Sequence, residues 1–355
     1  MADRLRQVAI VISYYNNRHD LGPCLHSVFA STDKRVQRHV VVVDNGSIEP
    51  ISDWLNSEFP LVEHVRLERN CGFTGGNNAG LERVRATTTL TDYLVLLNTD
   101  TLVRSGWLAA LCSDLEADSN IGCAQAKLLL HGQENTINSA GNRNHYLGFG
   151  MMGGYAESDH GQYDTARSID FPSGAAVMIR MDLIARLGLF DECFHMYLED
   201  ADLGWKLRQA GFGCRFVPAA IVEHKYIPNA PRAQYENLER NRWILLLTYY
   251  KLPTLLLLFP AMILMEIGQI AYAVGSGLIG AKIRSWLWFF QPSALRRLRD
   301  RRRTAQRCRI LTDRQFMGDF CSQIHLPSGD PWLLHYIGNP LLAAYWALTK
   351  RLICW

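Results

Sequence analysis

The chain has 355 residues, 48% of them apolar and 20% charged, with 27 glycines, 13 prolines and 10% aromatics. This balance excludes collagen-like, low-complexity and disordered chains and supports a sizeable core in about two domains. The net charge of +3 is unevenly placed: 11 Lys/Arg and two Asp between Lys282 and Arg314 give a local +9, which leaves −6 for the rest.

A basic segment on a mildly acidic body points to an anionic partner for that segment. The nine cysteines are scattered and none stands in C-x-x-C spacing. This argues against a disulfide framework or structural zinc and predicts a reducing, cytoplasmic setting. The first apolar run is too short for a signal-peptide core.

In chain order, Val8–Ile12 is a continuous apolar run, the pattern of a strand buried on both faces. Leu21 to Ala30 reads as a helix capped by Asp20, and His39 to Val43 as a strand ending at Asp44-Asn45-Gly46. Ile51 to Phe59 suits a short helix, Val62 to Leu67 a strand, Asn78 to Ala86 a helix, and Tyr93 to Leu97 a strand ending at Asn98-Thr99-Asp100. From Gln125 to Ile169 the pattern loosens into a long Gly-, Asn- and His-rich stretch. Ala175 to Met181 then reads as a strand, with helices at Leu183–Leu187 and Asp200–Ala210. Short strands are predicted on either side of Pro218. Repeated β-α units predict a doubly wound, mainly parallel sheet, whose ligands sit beyond the carboxyl ends of the strands. Ser13 to Asn16, Asp44 and Asp100 all fall at such ends.

The composition changes after about Lys251. Leu252 to Ala281 holds 30 residues with one charge, Glu266, and is interrupted by Pro253, Pro260 and four glycines. One straight helix is therefore not expected. Basic residues flank both sides, so a single membrane crossing fits badly with the positive-inside rule. A helical hairpin dipping into a membrane, or helices lying in its surface, fits better, with the Arg run Arg296–Arg303 on anionic lipid. The alternative is a buried helix pair of a second soluble domain. No aromatic-studded basic sheet or recognition helix accompanies the Arg run, so no nucleic-acid partner is expected.

Three acidic sites could carry chemistry: Asp44, Asp100 and the cluster Glu199-Asp200-Ala-Asp202. Taken singly, each could be a turn residue or helix cap. Together, all three fall to one edge of the predicted sheet. Asn98 and Asp100, two apart on an extended segment, face one side and can share a hard divalent cation. His224, after an apolar strand, could add an imidazole. The segment from Arg69 to Gly80 is a glycine-rich turn leading into a helix whose N–H groups could receive an anion. It matches neither G-x-G-x-x-G nor the P-loop, so dehydrogenase and P-loop kinase readings are poor. No G-x-S-x-G element supports a hydrolase.

These segments also carry a family resemblance. Ser13-Tyr-Tyr-Asn16, Val41-Val-Val-Asp-Asn-Gly-Ser47, Arg69-Asn70 with Gly75-Gly-Asn-Asn-Ala-Gly80, Leu96-Leu-Asn-Thr-Asp100, Ser173-Gly-Ala-Ala176, Glu199-Asp-Ala-Asp-Leu-Gly-Trp205 and Val222-Glu-His224 appear in order. Over about residues 7 to 250 the chain resembles bacterial inverting glycosyltransferases of family 2, most of all their rhamnosyltransferase-type members. The resemblance implies a GT-A fold at 1–250; the apolar and basic composition after it sets apart 251–355 as a helical region for membrane association. It implies that Asp44 binds the donor nucleoside with Ser13 and Asn16, and that Asn70 and Gly76 border the nucleotide. Asp100, with Asn98 in the first position of the D-x-D motif and with His224, would hold Mg²⁺ or Mn²⁺. Asp200 would be the general base, with Glu199 and Asp202 supporting it or shaping the acceptor site.

The expected activity is transfer of a sugar, first rhamnose from dTDP-rhamnose, to a polyprenyl-linked or polysaccharide acceptor at the cytoplasmic face of the inner membrane. A homo-oligomer is compatible with this reading. The rivals are a UDP-sugar donor (galactose or GlcNAc) and a catalytically silent sugar-nucleotide-binding subunit.

Overall fold

The computed structural model describes residues 4–33, 35–87, 90–133, 135–226, 232–326 and 329–355. The chain begins as alternating units: β1 (Arg6–Tyr14), α1 (Arg18–Ala30), β2 (Val36–Asp44), α2 (Ser52–Glu58), β3 (Val62–Arg66), α3 (Gly72–Thr87) and β4 (Tyr93–Leu97). Next come β5 (Thr101–Val103), α4 (Trp107–Ala117), β6 (Ile121–Leu130), β7 (Ile137–Ser139), β8 (Asn142–Asn144), β9 (Gly150–Met152), β10 (Arg167–Ile169), β11 (Ala176–Arg180) and α5 (Met181–Leu187). The rest is α6 (Glu199–Gln209), β12 (Gly213–His224), α7 (Arg232–Tyr249), α8 (Leu252–Gly275), α9 (Ile279–Leu287), α10 (Pro292–Arg307), α11 (Asp313–Phe316) and α12 (Asn339–Leu352).

Two compact units divide these elements. One takes Met1–Asn142, Met152–His195 and Phe212–Ile227; the other takes Arg143–Met151, Met196–Gly211 and Pro228–Trp355. The first is built on a mixed sheet of order β10-β12-β6-β11-β4-β1-β2-β3, with β5 on β12 and β7 on β6. β4, β1, β2 and β3 run parallel, as do β6 and β12. Their apolar runs are continuous because helices cover both faces. Val11, Val41 and Leu96 are as fully buried as Ile10, Val42 and Val95. β11 is inserted antiparallel between β4 and β6.

Several predicted boundaries move. α1 starts at Arg18, so Asp20 is a first-turn residue, not the cap; its carboxylate accepts from Asn17 Nδ2 (2.7 Å) and Lys225 Nζ (2.6 Å). α3 starts at Gly72, so the glycine-rich segment is the first part of the helix, not a turn before it. α6 starts at Glu199, and Asp200 therefore does not cap it. Order does not loosen at Gln125: β6 is buried along its whole length to Leu130. Its polar side chains broke the apolar pattern but are satisfied from afar. Gln125 accepts from Ser173 N–H, and Lys127 pairs with Asp159 and Asp164. The two strands predicted around Pro218 are one strand, β12, which takes up the proline in a register shift between Val217 and Ile221.

In the second unit, 252–281 is not one helix, as its prolines and glycines predict: α8 runs for 24 residues, passing through Pro260 and Gly268, and α9 begins at Ile279. Pro260, which lacks an N–H to donate to the preceding turn, lies on the exposed side of the helix. The helix stops at Ser276-Gly277, where Gly277 takes the left-handed φ of +67°. Among the described residues, α8 is the one helix long and apolar enough to cross a bilayer.

Candidate active site

Strand order and register gather the first unit's predicted residues at one sheet edge. Ser13 and Tyr14 end β1 and Asp44 ends β2, with Tyr14 and Asp44 in register. Asp100 follows β4, the other neighbour of β1. Asp44 is 3% exposed, and both its oxygens are engaged. Oδ1 accepts from Ser47 N–H at 2.9 Å, and Oδ2 pairs with Arg66, which also donates to Ser47 O. Each carboxylate oxygen keeps a second lone pair. Asn16 adopts a left-handed φ of 53°; its N–H donates to Ser47 Oγ (3.0 Å), and its Oδ1 accepts from Ile48 N–H (2.9 Å). Asn16 therefore ties the end of β1 to the turn after β2.

The start of α3 is held against this edge by amide side chains. Asn45 Oδ1 accepts from Cys71 N–H (2.9 Å), and Asn45 Nδ2 donates to Gly72 O (2.9 Å). Asn70 Oδ1 accepts from Gly72 N–H (2.8 Å). Gly76 allows the close approach, since a Cβ there would stand 2.1 Å from Ser13 Oγ. Asn45, Ser47 and Arg66 join the predicted residues at this edge. The first two lie within the Asp-Asn-Gly-Ser turn, but nothing local marks Arg66, 22 residues beyond its partner.

Asp100 and His224 meet. β5 pairs with β12 so that Thr101 opposes His224, and Lys225 N–H donates to Asp100 O (2.8 Å). His224 Nε2 then lies 3.3 Å from Asp100 Oδ1. On the other side of the ring, Nδ1 is 2.9 Å from Asn138 Oδ1, a contact that fixes the ring with Nε2 towards Asp100. Among the described residues no group of three or more His, Cys, Asp or Glu could hold a metal. The pair is a partial donor set that fits Mg²⁺ or Mn²⁺ if phosphate oxygens and water complete the shell. Asn98 is held by its backbone: its N–H donates to Ala175 O (3.0 Å), and its O accepts from Thr101 Oγ1 (2.7 Å). Asn138 lies in the Gly-, Asn- and His-rich stretch, where no local pattern marks it.

The remaining acids sit in the second unit, on the first turn of α6. Tyr197 and Leu198 just before it take left-handed φ values of 71° and 62°, a costly arrangement for non-glycine residues. Asn241 of α7 holds this turn by donating Nδ2 to Met196 O (3.0 Å) and Tyr197 O (2.7 Å). Asp202 is fully buried; its Oδ1 accepts from Tyr249 OH (2.7 Å) and pairs with Arg301 of α10 at 2.6 Å. Glu199 is buried beside Asp200 and Asp202. Burial first, and then these like charges, push its carboxyl well above the usual range and favour its protonated form. Asp200 Oδ1 accepts from Ala201 N–H (2.8 Å).

A family model described as Glycosyltransferase like family 2 matches residues 6–245. The chain belongs to this family. Among relatives, a pre-mycofactocin glycosyltransferase of Mycobacterium tuberculosis is 28% identical over 224 residues, 62% of this chain and 43% of that protein. The chain thus spans less than half the length of that relative. An N-acetylglucosaminyl-diphospho-decaprenol L-rhamnosyltransferase of the same organism is 40% identical over 58 residues, 16% of this chain and 19% of that protein. The crystal structure of GalNAc-T7 with UDP, GalNAc and Mn²⁺ superposes with a TM-score of 0.56 at 17% identity, over 71% of this chain and 49% of that one. The family member described here therefore has a GT-A-like α/β fold followed by a helical region.

Proposed function

We propose that this chain is an inverting, metal-dependent glycosyltransferase using a nucleotide-diphosphate sugar, with rhamnose from dTDP-rhamnose the first donor to test. Its acceptor would be a hydroxyl of a polyprenyl-linked or cell-surface polysaccharide. Residues 1–250 would carry the transfer, and 251–355 would keep the enzyme at the cytoplasmic face of a bacterial inner membrane, peripheral or monotopic. The observation that carries the reading is the Asp100–His224 pair at the sheet edge that also bears Asp44 and the start of α3. The short match to a rhamnosyltransferase supports the choice of sugar.

Mg²⁺ or Mn²⁺ held by Asp100 and His224 would offset the charge of the departing diphosphate. The free lone pairs of Asp44 would accept from ribose or base, with Ser13 and Asn16 beside it. Asn70 and Gly76 would border the nucleotide where the α3 N–H groups begin. Asp200 would take the acceptor's hydroxyl proton as oxygen bonds to the anomeric carbon, while the old C–O electron pair leaves with the diphosphate. In-line attack from the opposite face inverts the centre. Glu199, kept protonated, would add no repulsion to that step, and Asp202 would steady α6 through Arg301.

The test is a panel of dTDP-rhamnose, UDP-galactose and UDP-GlcNAc with Mg²⁺ or Mn²⁺, read by thermal shift and nucleoside diphosphate release. A donor at 100 times its Kd should stabilise the protein by about 2.7 kcal/mol. Asp200→Asn should keep that shift and lose turnover. A tenth of wild-type rate in this variant would move the base elsewhere. Stabilisation without any release, with every acceptor tried, would make the chain a silent binding subunit.

A further inference from the structure

α8 has two apolar faces, and only one is covered. Thr254, Leu258, Ala261, Met262 and Ala273 are buried, whereas Leu252, Leu256, Phe259, Ile263, Ile267 and Val274 are between 45% and 66% exposed. The exposed positions recur every three or four residues, or at twice that interval. They form one stripe about 33 Å long at 1.5 Å per residue. Only 22% of the helix's most apolar window is buried, so α8 is not the core helix of a soluble bundle. An uncovered apolar stripe of this length is an interaction surface.

The covered face is fastened along its length. Near its start, Thr254 Oγ1 bonds Asp313 and accepts from Trp355 Nε1 (2.8 Å), and Leu257 O accepts from Tyr345 OH (2.6 Å). In its second half, Glu266 Oε1 accepts from Arg242 and from Trp243 Nε1 (3.0 Å), and Oε2 lies 2.8 Å from Lys282 Nζ. Arg242 and Lys282 also both pair with Glu239. Two acids and two bases thus neutralise one another, with Lys282 and Arg242 no more than 1% exposed. Sending α8 across a bilayer would take Glu266 into hydrocarbon without its partners and leave Glu239, Arg242 and Lys282 buried with an unbalanced charge.

We infer that α8 lies along the surface of an anionic bilayer, its exposed stripe seated at the headgroup–acyl boundary, and does not cross. This deepens the membrane-associated reading above and rests on it. The occupant is chosen by charge. The outer face of α10, in the same compact unit, carries exposed Arg296, Arg299, Arg303 and Arg307 at helical spacing, within the segment of local charge +9. A second copy would bring the same positive segment towards its own kind, whereas anionic lipid complements it. Length and composition alone allow α8 to cross; the buried charge cluster forbids it.

The full chain, sedimented with phosphatidylcholine vesicles with or without phosphatidylglycerol, tests the idea without donor or acceptor. Failure of the transfer reading therefore leaves this result standing. Wild type should bind only the anionic vesicles. Phe259→Ser with Ile263→Ser should lower binding about tenfold or more while circular dichroism is unchanged. Equal binding by this variant would overturn the proposal, as would a wild-type dimer that the variant dissolves. In membranes, cysteines placed at Leu252 and Gly275 in a chain lacking its exposed thiols should both react with an impermeant maleimide from the cytoplasmic side. Reaction of the two from opposite sides would show a crossing and end the argument.

Discussion

Replacing Arg301 with methionine removes the cation paired with a carboxylate that has no exposure to water. Asp202 would keep one hydrogen bond, from Tyr249 OH; among the described residues its Oδ2 has no hydrogen-bond partner. An exposed pair such as Arg4–Asp92 gives a baseline, because water solvates either partner left behind and Arg4→Gln should cost less than about 1 kcal/mol. At Asp202 water cannot substitute, so Arg301→Met should cost about 3–5 kcal/mol, the penalty of a buried charge stripped of its partner. Asp202→Asn in the same chain removes that charge, keeps an oxygen for Tyr249 and should recover most of the loss. The assay is a double-mutant cycle in urea, followed by far-ultraviolet circular dichroism and by tryptophan fluorescence. Trp205 lies on α6 itself, packed against Tyr249, Tyr250, Phe316 and Phe320. A loss below about 1 kcal/mol in Arg301→Met, or a double variant no more stable than that single one, would refute the reasoning.

Other expectations follow from single residues. His145 is buried, and desolvation lowers its pKa to about 3; the unfolded chain binds its proton below about pH 6.5 and the fold does not. Stability should therefore fall as pH drops from about 6.5 towards 3, by up to about 1.4 kcal/mol per pH unit, and urea titrations of His145→Gln should show a flatter profile. Glu199 has the opposite sign: its raised carboxyl keeps its proton in the fold, so stability is full below about pH 4.5 and is lost as pH rises through the folded value. Glu199→Gln should thus be more stable than wild type at pH 8 and equal to it at pH 4, measured as the shift in urea midpoint. Gly76→Ala forces a methyl against Ser13 Oγ and should cost about 1–3 kcal/mol and weaken donor binding in the thermal-shift panel. Unchanged donor affinity in that variant would remove the β1–α3 junction from the nucleotide site.

Local sequence determined the α/β alternation, because parallel strands covered on both faces must be continuously apolar, as at Val8–Ile12 and Tyr93–Leu97. It also determined that Asp44 ends a strand and that Asp100 follows one, and the ordered motifs were enough to find the family. Antiparallel entry of β11 between β4 and β6 left no local mark, since backbone pairing is indifferent to side-chain pattern. The continuation of β6 was hidden for a related reason: Gln125 and Lys127 are affordable in a core only through partners at Ser173, Asp159 and Asp164. The Asn138–His224 contact spans 86 residues and the Arg301–Asp202 pair 99, and no periodicity encodes contacts at that distance. The same holds for α8. Composition announced an apolar segment with one stray acid, but only packing decided which face stays bare and gave Glu266 its two cations, because burying a charge depends on what the rest of the chain brings to meet it.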